Sequence, residues 1–359
     1  MIKKVLLLSD ASSVHTKRWE EGYTFLGWDV YTVSFEKKLY DFKNFEEINL
    51  MVKNNYKYLI GYFKLKDVIE KIKPDIIFPH FIPNYGLLSF FEKIRKKIPY
   101  VLTIWGSDLL IFPYKNKFKN LLTKFILKNS NGIVVDAKFM KEKIKEDFKI
   151  EEEKIFVIPF GVKKDLRELG KKKKFEEDGK VGIITYRKME PIYNQEIIIK
   201  ALKIFKDEER KYFYVDFLGT GSLYNKFKEM IYNEGLFDIV NFNGYVDDKR
   251  LISLLLKDSI YLSASFSDGT SVSLIEALTF GLFPVVSDIK GNREWVLDNV
   301  NGFLFNPNDK KELYLKLKRA IMDKNLRKEA FSINKRIIEE RANWEENLIS
   351  FKEFVIKRI

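Results

Sequence analysis

The sequence contains no cysteine, and its only histidines are His15 and His80. Without cysteine the chain can form no disulfide, no thiolate nucleophile and no cysteine-bound zinc site. Two histidines are also too few for a histidine-rich metal site. We therefore expect a chemistry that requires neither a metal ion nor another cofactor.

Long apolar runs are missing as well. The apolar stretch at 5–8 is too short for a signal peptide or a membrane span, and no other window reaches the roughly 18 uninterrupted apolar residues that a transmembrane helix needs. The stretch at 5–8 instead predicts a buried first strand. The absence of longer runs predicts a protein that is made and kept in the cytoplasm.

Acidic residues are in the minority, with 51 Asp and Glu against 64 Lys and Arg, which gives a formal net charge of +13. Most of the excess lies in residues 1–168, where 31 basic residues face 22 acidic ones. An anionic partner of the first half is one interpretation of this asymmetry. A lysine-rich composition that serves mainly solubility is the other.

What the chain does contain is a regular alternation of short apolar runs and longer amphipathic segments, with 46% hydrophobic residues overall. This alternation is typical of parallel sheets covered by helices. A charged stretch at 161–180 interrupts it and predicts a linker. The runs that predict strands are 5–8, 29–33, 75–78, 100–104, 132–135 and 155–158 before the linker, and 181–185, 214–218, 240–243, 260–263 and 283–287 after it.

The two series of strands predict two doubly wound, Rossmann-like α/β domains, at residues 1–165 and 175–340, with a cleft between them. Both are long enough to bury their own cores. Ligands of such sheets bind beyond the carboxyl ends of the strands. The loops that follow the predicted strands are therefore where functional residues are expected.

The segment 267–286, SDGTSVSLIEALTFGLFPVV, places the carboxylates Asp268 and Glu276 on either side of a polar turn that leads into a short apolar helix. The free N–H groups at a helix N-terminus suit an anion such as phosphate. Carboxylates on both sides can accept hydrogen bonds from polyol hydroxyls. The segment predicts a nucleotide-sugar site, and a polar loop that only caps a helix is the alternative. The small residues of the turn are Gly269, Thr270 and Ser271.

Three more loops of the second half carry candidate residues. Arg187 comes just after the strand 181–185, where a guanidinium can hold a diphosphate with paired donors. A tight strand-to-helix turn is the alternative for each loop, but all of them would converge on one crevice. The remaining candidates are Gly219 and Gly221, which permit a ligand to approach the backbone closely, and Gly244, Tyr245 and Val246, which could form a wall of the pocket for a nucleotide base.

In this order the motifs resemble the donor-binding domain of retaining glycosyltransferases of the GT-B fold, specifically glycosyltransferase family 4. The region 267–296 is similar to that family's E-x7-E region, with Asp268 in place of the first glutamate. The resemblance implies that Glu276 binds the donor ribose, that Asp268 faces the donor sugar, and that Arg187 binds phosphate. It also assigns the diphosphate and sugar to the backbone at Thr270 and Ser271. The lysine that the family places shortly after the arginine is absent here, where Tyr193 and Asn194 stand.

In the first half, His80 stands immediately beyond the predicted strand 75–78. Family members carry a histidine in a corresponding loop near the reacting carbon, which implies that His80 orients a hydroxyl or shares a proton. A buried structural histidine is the alternative. Asp108, in TIWGSDLL, is a candidate for binding the acceptor or a sugar hydroxyl, with a helix N-cap as its alternative. The acceptor candidates of the first loop are Ser12, Ser13, His15 and Arg18.

One segment, within 112–130, combines helical spacing of apolar residues with five lysines and no acidic residue. A basic amphipathic helix of this kind can lie on anionic lipid. A helix packed on the sheet with a solvated lysine face is the alternative. The membrane interpretation implies a lipid-linked or membrane-proximal acceptor and a peripheral location on the inner membrane face. The residues of the apolar stripe are Phe118, Leu121, Leu122 and Phe125.

The resemblance as a whole implies an enzyme that transfers a hexosyl unit from a nucleoside diphosphate sugar to a hydroxyl of a glycan, glycolipid or polysaccharide precursor, with retention and without a metal. The first domain would bind the acceptor and the second the donor, and the terminal helix 341–359 would return to the first domain with Trp344 as its anchor. A nucleotide-sugar 2-epimerase and a non-enzymatic, basic membrane-binding protein are the alternatives. Nucleic acid is not expected as a partner.

Overall fold

The computed structural model describes residues 2–50, 56–177 and 179–359. It divides into two compact units, Met1–Pro159 with Glu345–Ile359, and Phe160–Trp344. Among the described residues no helix is long and apolar enough to cross a membrane. The same ranges contain no group of three or more histidine, aspartate or glutamate side chains placed to hold a metal ion.

The first unit is built on parallel strands in the order β3-β2-β1-β4, followed by β5-β6-β7. Bridges from Ile77 to Tyr100 and from His80 to Thr103 link β4 to β5. The order of the strands therefore reverses between β1 and β4. The strands are β1 (Lys4–Leu8), β2 (Asp29–Ser34), β3 (Phe45–Glu47), β4 (Ile76–Pro79), β5 (Val101–Thr103), β6 (Gly132–Val135) and β7 (Ile155–Val157).

Helices connect these strands and cover the sheet, and the inner strands are apolar along their length because both faces are covered. Val5, Leu6, Leu7 and Leu8 of β1 are all fully buried. The helices are α1 (Val14–Phe25), α2 (Tyr56–Ile72), α3 (Leu87–Lys96), α4 (Ser107–Leu110), α5 (Lys117–Asn129) and α6 (Lys138–Phe148).

The second unit is a six-stranded parallel sheet in the order β10-β9-β8-β11-β12-β13. Neighbouring residues of β8 face opposite sides, since Ile183 joins one apolar core and Ile184 the other. The strands are β8 (Val181–Tyr186), β9 (Phe213–Leu218), β10 (Val240–Gly244), β11 (Ile260–Ser263), β12 (Phe283–Ser287) and β13 (Phe303–Phe305). The helices are α7 (Lys164–Lys172), α8 (Gln195–Leu202), α9 (Asp207–Arg210), α10 (Tyr224–Asn233), α11 (Asp248–Lys257), α12 (Val272–Thr279), α13 (Lys290–Arg293), α14 (Lys310–Met322), α15 (Lys324–Arg341) and α16 (Trp344–Ile356).

The last helix, α16, begins at the end of the second unit and continues into the first, which includes Glu345–Ile359. Phe351 of this helix is fully buried, with its ring centroid 5.4 Å from that of Trp19 and 5.7 Å from that of Phe78. Trp344 is buried in the second unit, where it stacks on Phe160. Aromatic contacts therefore hold α16 at Trp344 and at Phe351.

The predicted α/β fold with two parallel sheets is confirmed, and every predicted strand is present to within two residues. The expectation of a linker at 161–180 is wrong for Lys164–Lys172. Residues Lys164–Lys172 form α7, whose Leu166 and Leu169 pack against a core of the second unit. Glu177 pairs with Arg327, and both side chains are almost fully buried. The many lysines of this stretch concealed its helical spacing.

Candidate functional site

Two loops of the second unit meet where the order of its strands reverses, between β8 and β11. Open α/β sheets bind their ligands outside the carboxyl ends of the strands at this point. Arg187 follows β8 directly, and Asp268 lies in the loop between β11 and α12. The backbone N–H of Phe266 donates to the carbonyl of Ile192 at 2.9 Å, which ties the two loops together. The fold thus brings two of the predicted residues, Arg187 and Asp268, to one place.

The guanidinium of Arg187 is held on several sides. Its Nη1 donates to Ser271 Oγ at 2.7 Å and to Ser273 Oγ at 2.8 Å, and its Nη2 donates to the Asp268 carboxylate. The ring of Tyr193 lies over its face, 4.3 Å from Cζ, in a cation–π contact. Its Nε–H is buried and has no hydrogen-bond partner among the described residues. A buried donor without a partner is uncommon in folded proteins.

A chain of buried hydroxyl groups is hydrogen-bonded to the Arg187 guanidinium. Ser273 Oγ lies 2.7 Å from the Tyr261 hydroxyl and 3.1 Å from Ser271 Oγ. Ser271 is also the N-cap of α12 and accepts from the backbone N–H of Leu274. Burial raises the pKa of Tyr261, so its phenol keeps its proton. Three hydroxyls thus fix one edge of the guanidinium without adding charge.

Glu276 lies one turn inside α12 and is half-buried. Its neighbour is Tyr186, the last residue of β8, whose hydroxyl donates to the Ser273 carbonyl at 2.6 Å. Burial raises the pKa of Tyr186, and the Glu276 carboxylate raises it further. Thr270, immediately before the N-cap, is buried. The turn, its cap and both carboxylates of the predicted segment therefore occupy one edge of the sheet.

The predicted glycines pack against the loop that carries Arg187. A Cβ at Gly219, where φ is +129°, would lie 2.1 Å from the Arg187 carbonyl oxygen, and a Cβ at Gly221 would lie 2.5 Å from that of Met189. Gly219 N–H also donates to the Gly244 carbonyl at 2.7 Å. These positions require glycine because the backbones are in contact.

Beyond Gly244, the ring of Tyr245 is 78% exposed, and Val246 is half-buried. Both lie in the loop between β10 and α11, at the same carboxyl edge of the sheet. The structure thus places an accessible aromatic ring where the base was predicted.

In the first unit, His80 follows β4 at the point where that sheet reverses its order. Its side chain is buried, with Nε2 3.4 Å from the Tyr23 hydroxyl and its ring against Trp19 and Trp105. Its Nδ1 has no hydrogen-bond partner among the described residues. Burial, and then the nearby His15, lower the pKa of His80 to about 3. The imidazole is therefore neutral at physiological pH.

Asp108 lies in the first turn of α4, and Gly106 occupies the N-cap position. Its Oδ1 accepts from the backbone N–H groups of Trp105 at 3.1 Å and Gly106 at 3.0 Å, and its Oδ2 accepts from that of Ile82 at 3.1 Å. The carboxyl is fully buried, and burial raises its pKa to about 6. In this structure Asp108 joins the loop that follows β5 to the loop that carries His80.

The acceptor candidates lie in the loop after β1 and at the start of α1. Ser12 Oγ donates to the Asp10 carboxylate at 2.7 Å, and Ser13 is the N-cap of α1. The His15 ring meets the edge of Trp105, with the centroids 5.6 Å apart. Arg18 is half-buried one turn inside α1. The serines thus shape the loop, while His15 belongs to the aromatic cluster around His80.

Sequence reasoning did not single out Ser273, Tyr261 and Trp105. Ser273 stands inside the segment 267–286, but a small polar residue in a helix carries no signal of its partner. Tyr261 lies in a strand, where an aromatic residue usually signals only packing. Trp105 stands in the quoted TIWGSDLL, but nothing in that string predicted its contacts with both histidines.

The helix with the basic amphipathic pattern, α5, has an apolar stripe that is divided between core and solvent. Ile126 and Leu127 are buried and Leu122 is half-buried, whereas Phe118 is 72% and Leu121 67% exposed. Of the predicted stripe, Phe118, Leu121 and Phe125 are therefore exposed and Leu122 is half-buried. Phe125 is exposed and also packs on Phe90 of α3.

Comparisons with known proteins cover most of the chain. Residues 4–137 match the family described as "Glycosyl transferase 4-like", and residues 167–336 match "Glycosyl transferases group 1". The uncharacterized glycosyltransferase MJ1178 of Methanocaldococcus jannaschii is 28% identical over 82% of this chain and 79% of its own length. MJ1069 of the same organism, also an uncharacterized glycosyltransferase, is 28% identical over 88% of this chain and 83% of its own.

Solved structures resemble the whole chain. A glycosyltransferase from Rickettsia africae has a TM-score of 0.81 at 21% identity, covering 99% of this chain and 98% of its own. Anabaena Alr3699/HepE in complex with UDP has a TM-score of 0.81 at 15% identity, covering 99% and 100%. Sucrose-phosphate synthase from Thermosynechococcus elongatus has a TM-score of 0.83 at 13% identity, covering 99% and 98%. At these identities the likeness shows a shared fold.

Proposed function

Because the chain is a glycosyltransferase of the GT-B fold, we propose that it transfers a hexosyl unit from a nucleoside diphosphate sugar to an acceptor hydroxyl with retention, as a family 4 enzyme. The observation that carries the proposal is Arg187, which lies at the switch point beside Asp268 with its buried Nε–H unpartnered among the described residues. Structures of HepE with UDP and with UDP-glucose support a donor of this class.

In the proposed donor site, each residue of the second unit binds a different part of the donor. Arg187 and the N-terminus of α12 at Ser271 would stabilise the diphosphate, because both present donors to an anion. Glu276 would bind the ribose hydroxyls, and Asp268 the sugar. The exposed ring of Tyr245 would contact the base. In this assignment the protein itself supplies the positive charge at the leaving group.

For the reaction we propose a same-face displacement. The bond from the anomeric carbon to the diphosphate oxygen breaks, and a bond to the acceptor oxygen forms on the same face. The departing phosphate oxygen takes the proton of the acceptor hydroxyl, so that charge and atoms balance. His80, neutral because of burial, would orient a hydroxyl. Asp108 would act indirectly by holding the His80 loop.

The donor and reaction class are tested by a thermal-shift panel of UDP, GDP and ADP and their glucose derivatives, since a true ligand raises the melting temperature by mass action. The stabilising nucleotide sugar is then incubated with the enzyme alone and with candidate glycan and lipid acceptors. A glycoside whose anomeric configuration, by NMR, matches that of the donor supports the proposal. An epimerised donor formed without acceptor would support the 2-epimerase alternative, and an inverted product would contradict retention.

We also propose that the acceptor is a glycan or lipid-linked hydroxyl reached at an anionic membrane. The support is a group of exposed apolar side chains on three lysine-bearing helices, called the lysine-rich face: Ile60 and Phe63 of α2, Ile94 of α3, and Phe118 and Leu121 of α5. Contacts of Phe125 with Phe90 and of Tyr62 with Phe91 connect these helices. Because α5 carries lysines and no acidic residue, its charge complements anionic lipid.

A further inference from the structure

The Arg187 guanidinium and the Asp268 carboxylate form an ion pair with each other. Arg187 is 11% and Asp268 22% exposed, so the pair lies at the wall of the site and remains accessible. A diphosphate that approaches Arg187 meets the same Nη2 that Asp268 already uses. Nη1 is held by Ser271 and Ser273 and Nε is buried, so a phosphate and the carboxylate compete for Nη2.

We propose that Asp268 determines specificity by partner exchange. The donor diphosphate binds Arg187 and displaces the Asp268 carboxylate. The complex is stable only when sugar hydroxyls are present to donate hydrogen bonds to that carboxylate. This inference rests on the proposed function and deepens it. It makes Asp268 a selector for the nucleotide sugar over the bare nucleoside diphosphate, which is the product of the transfer.

Electrostatics explains why the sugar matters. A carboxylate displaced by a diphosphate is left beside a second anion, and like charges at close range disfavour the complex. With a nucleotide sugar bound, hydroxyl groups donate to the freed carboxylate, and such charge-assisted hydrogen bonds offset the lost ion pair. With the nucleoside diphosphate alone this compensation is missing. Asp268 would therefore weaken product binding and favour product release.

The surrounding backbone indicates that the exchange occurs by side-chain rotation. A Cβ on Gly291 would lie 2.7 Å from the Asp268 carbonyl oxygen and 2.2 Å from that of Gly269, so the loop is packed directly on α13. On the other side, Ser271 and Ser273 hold Nη1 of Arg187. With loop and guanidinium both fixed, the short Asp268 side chain is the part that can change partner.

The test is calorimetric titration of UDP and UDP-glucose, or of the matching pair that stabilises the wild type in the panel, into three variants. Asp268→Asn keeps the size but removes the charge, and Asp268→Glu keeps the charge. Glu177→Gln is the matched control, because it breaks another buried pair, with Arg327, at the amino edge of the same sheet. Melting curves establish that each variant is folded at the titration temperature.

We expect Asp268→Asn to bind the nucleoside diphosphate roughly fivefold or more tightly than the wild type, and to bind the nucleotide sugar no better. Asp268→Glu should retain the wild-type discrimination, and Glu177→Gln should lose only stability. If Asp268→Asn leaves binding of the nucleoside diphosphate unchanged or weaker, partner exchange is wrong, even where sugar binding falls. If the wild type binds no member of the panel, the proposed function itself is contradicted.

Discussion

At the scale of single residues, Ser273 connects the groups around Arg187. Its Oγ accepts from Arg187 and meets the hydroxyls of Tyr261 and Ser271, and its carbonyl accepts from Tyr186. The positions of Arg187 and Asp268 beyond strand ends could be predicted from the sequence, because the apolar runs before them mark the strands. The contacts of Ser273 could not be predicted, since a small polar residue in a helix gives the same pattern whether it faces solvent or a guanidinium.

The buried His80 gives a prediction about pH. Its pKa in the folded protein, about 3, lies below the ordinary value of 6.5, so below pH 6.5 the unfolded chain binds more protons at this residue than the folded chain does. The contribution of His80 to stability is therefore complete above pH 6.5 and declines as the pH falls towards 3. The melting temperature of the wild type should fall relative to that of His80→Gln between pH 7 and pH 4. A difference that is constant over this range would contradict a neutral, buried His80.

At the scale of elements, the strands were predictable because parallel strands buried on both faces must be continuous apolar runs, as in Val5–Leu8. The edge strand β3 escaped prediction because two of its three residues are glutamates, and β13 because its three apolar residues stand between polar turn residues. The helix α7 escaped because its apolar positions, Leu166 and Leu169, are separated by charged residues. The paired loops after β8 and β11 could be located, but the contact between them depends on the fold.

The loop after β9 allows a test of how Arg187 is positioned. Gly219→Ala would place a Cβ 2.1 Å from the Arg187 carbonyl oxygen at a positive φ, so the Arg187 loop must shift. We expect a loss of stability of about 1–3 kcal/mol, together with at least tenfold weaker donor binding. Gly235→Ala is the control, since Gly235 also has a positive φ but its Cβ would meet nothing within 4 Å. Denaturant unfolding and calorimetry measure the two effects. Equal donor affinity in both variants would show that the Gly219 contact does not position Arg187.

The lysine-rich face gives a second test at this scale. Replacing Phe118 and Leu121 together with serine should weaken binding to phosphatidylglycerol vesicles about tenfold, because two exposed apolar side chains no longer enter the lipid. Added salt should weaken binding of the wild type, and phosphatidylcholine vesicles should bind poorly.

The matched control replaces Tyr232 and Phe237, an exposed aromatic pair of the second unit, with serine. This variant should bind vesicles like the wild type. If both double variants bind equally well, the face on α2, α3 and α5 is not the membrane contact. A change of oligomeric state on size-exclusion chromatography that is confined to the Phe118 and Leu121 variant would instead identify that face as a contact between copies of the chain.

At the scale of the whole molecule, both units repeat one arrangement, a parallel sheet whose order reverses beside its first strand. In the first unit, His80 and the loop of Ser12 and Ser13 lie where the strand order reverses. In the second unit, Arg187 and Asp268 lie at the corresponding point. The layout followed from the alternation of apolar runs. The candidate donor site was located from where the charged residues stand in that layout, and the contacts of Arg187 depend on the folded chain.

The central claim is that Arg187 binds the diphosphate of a nucleotide sugar. Calorimetric titration of the stabilising nucleotide sugar into the wild type, Arg187→Ala and Arg187→Lys tests it most directly. We expect binding by the wild type, a loss of about a hundredfold or more in Arg187→Ala, and partial recovery in Arg187→Lys, which restores charge without the paired donors. Undiminished donor affinity in a folded Arg187→Ala variant would contradict the assignment of this site.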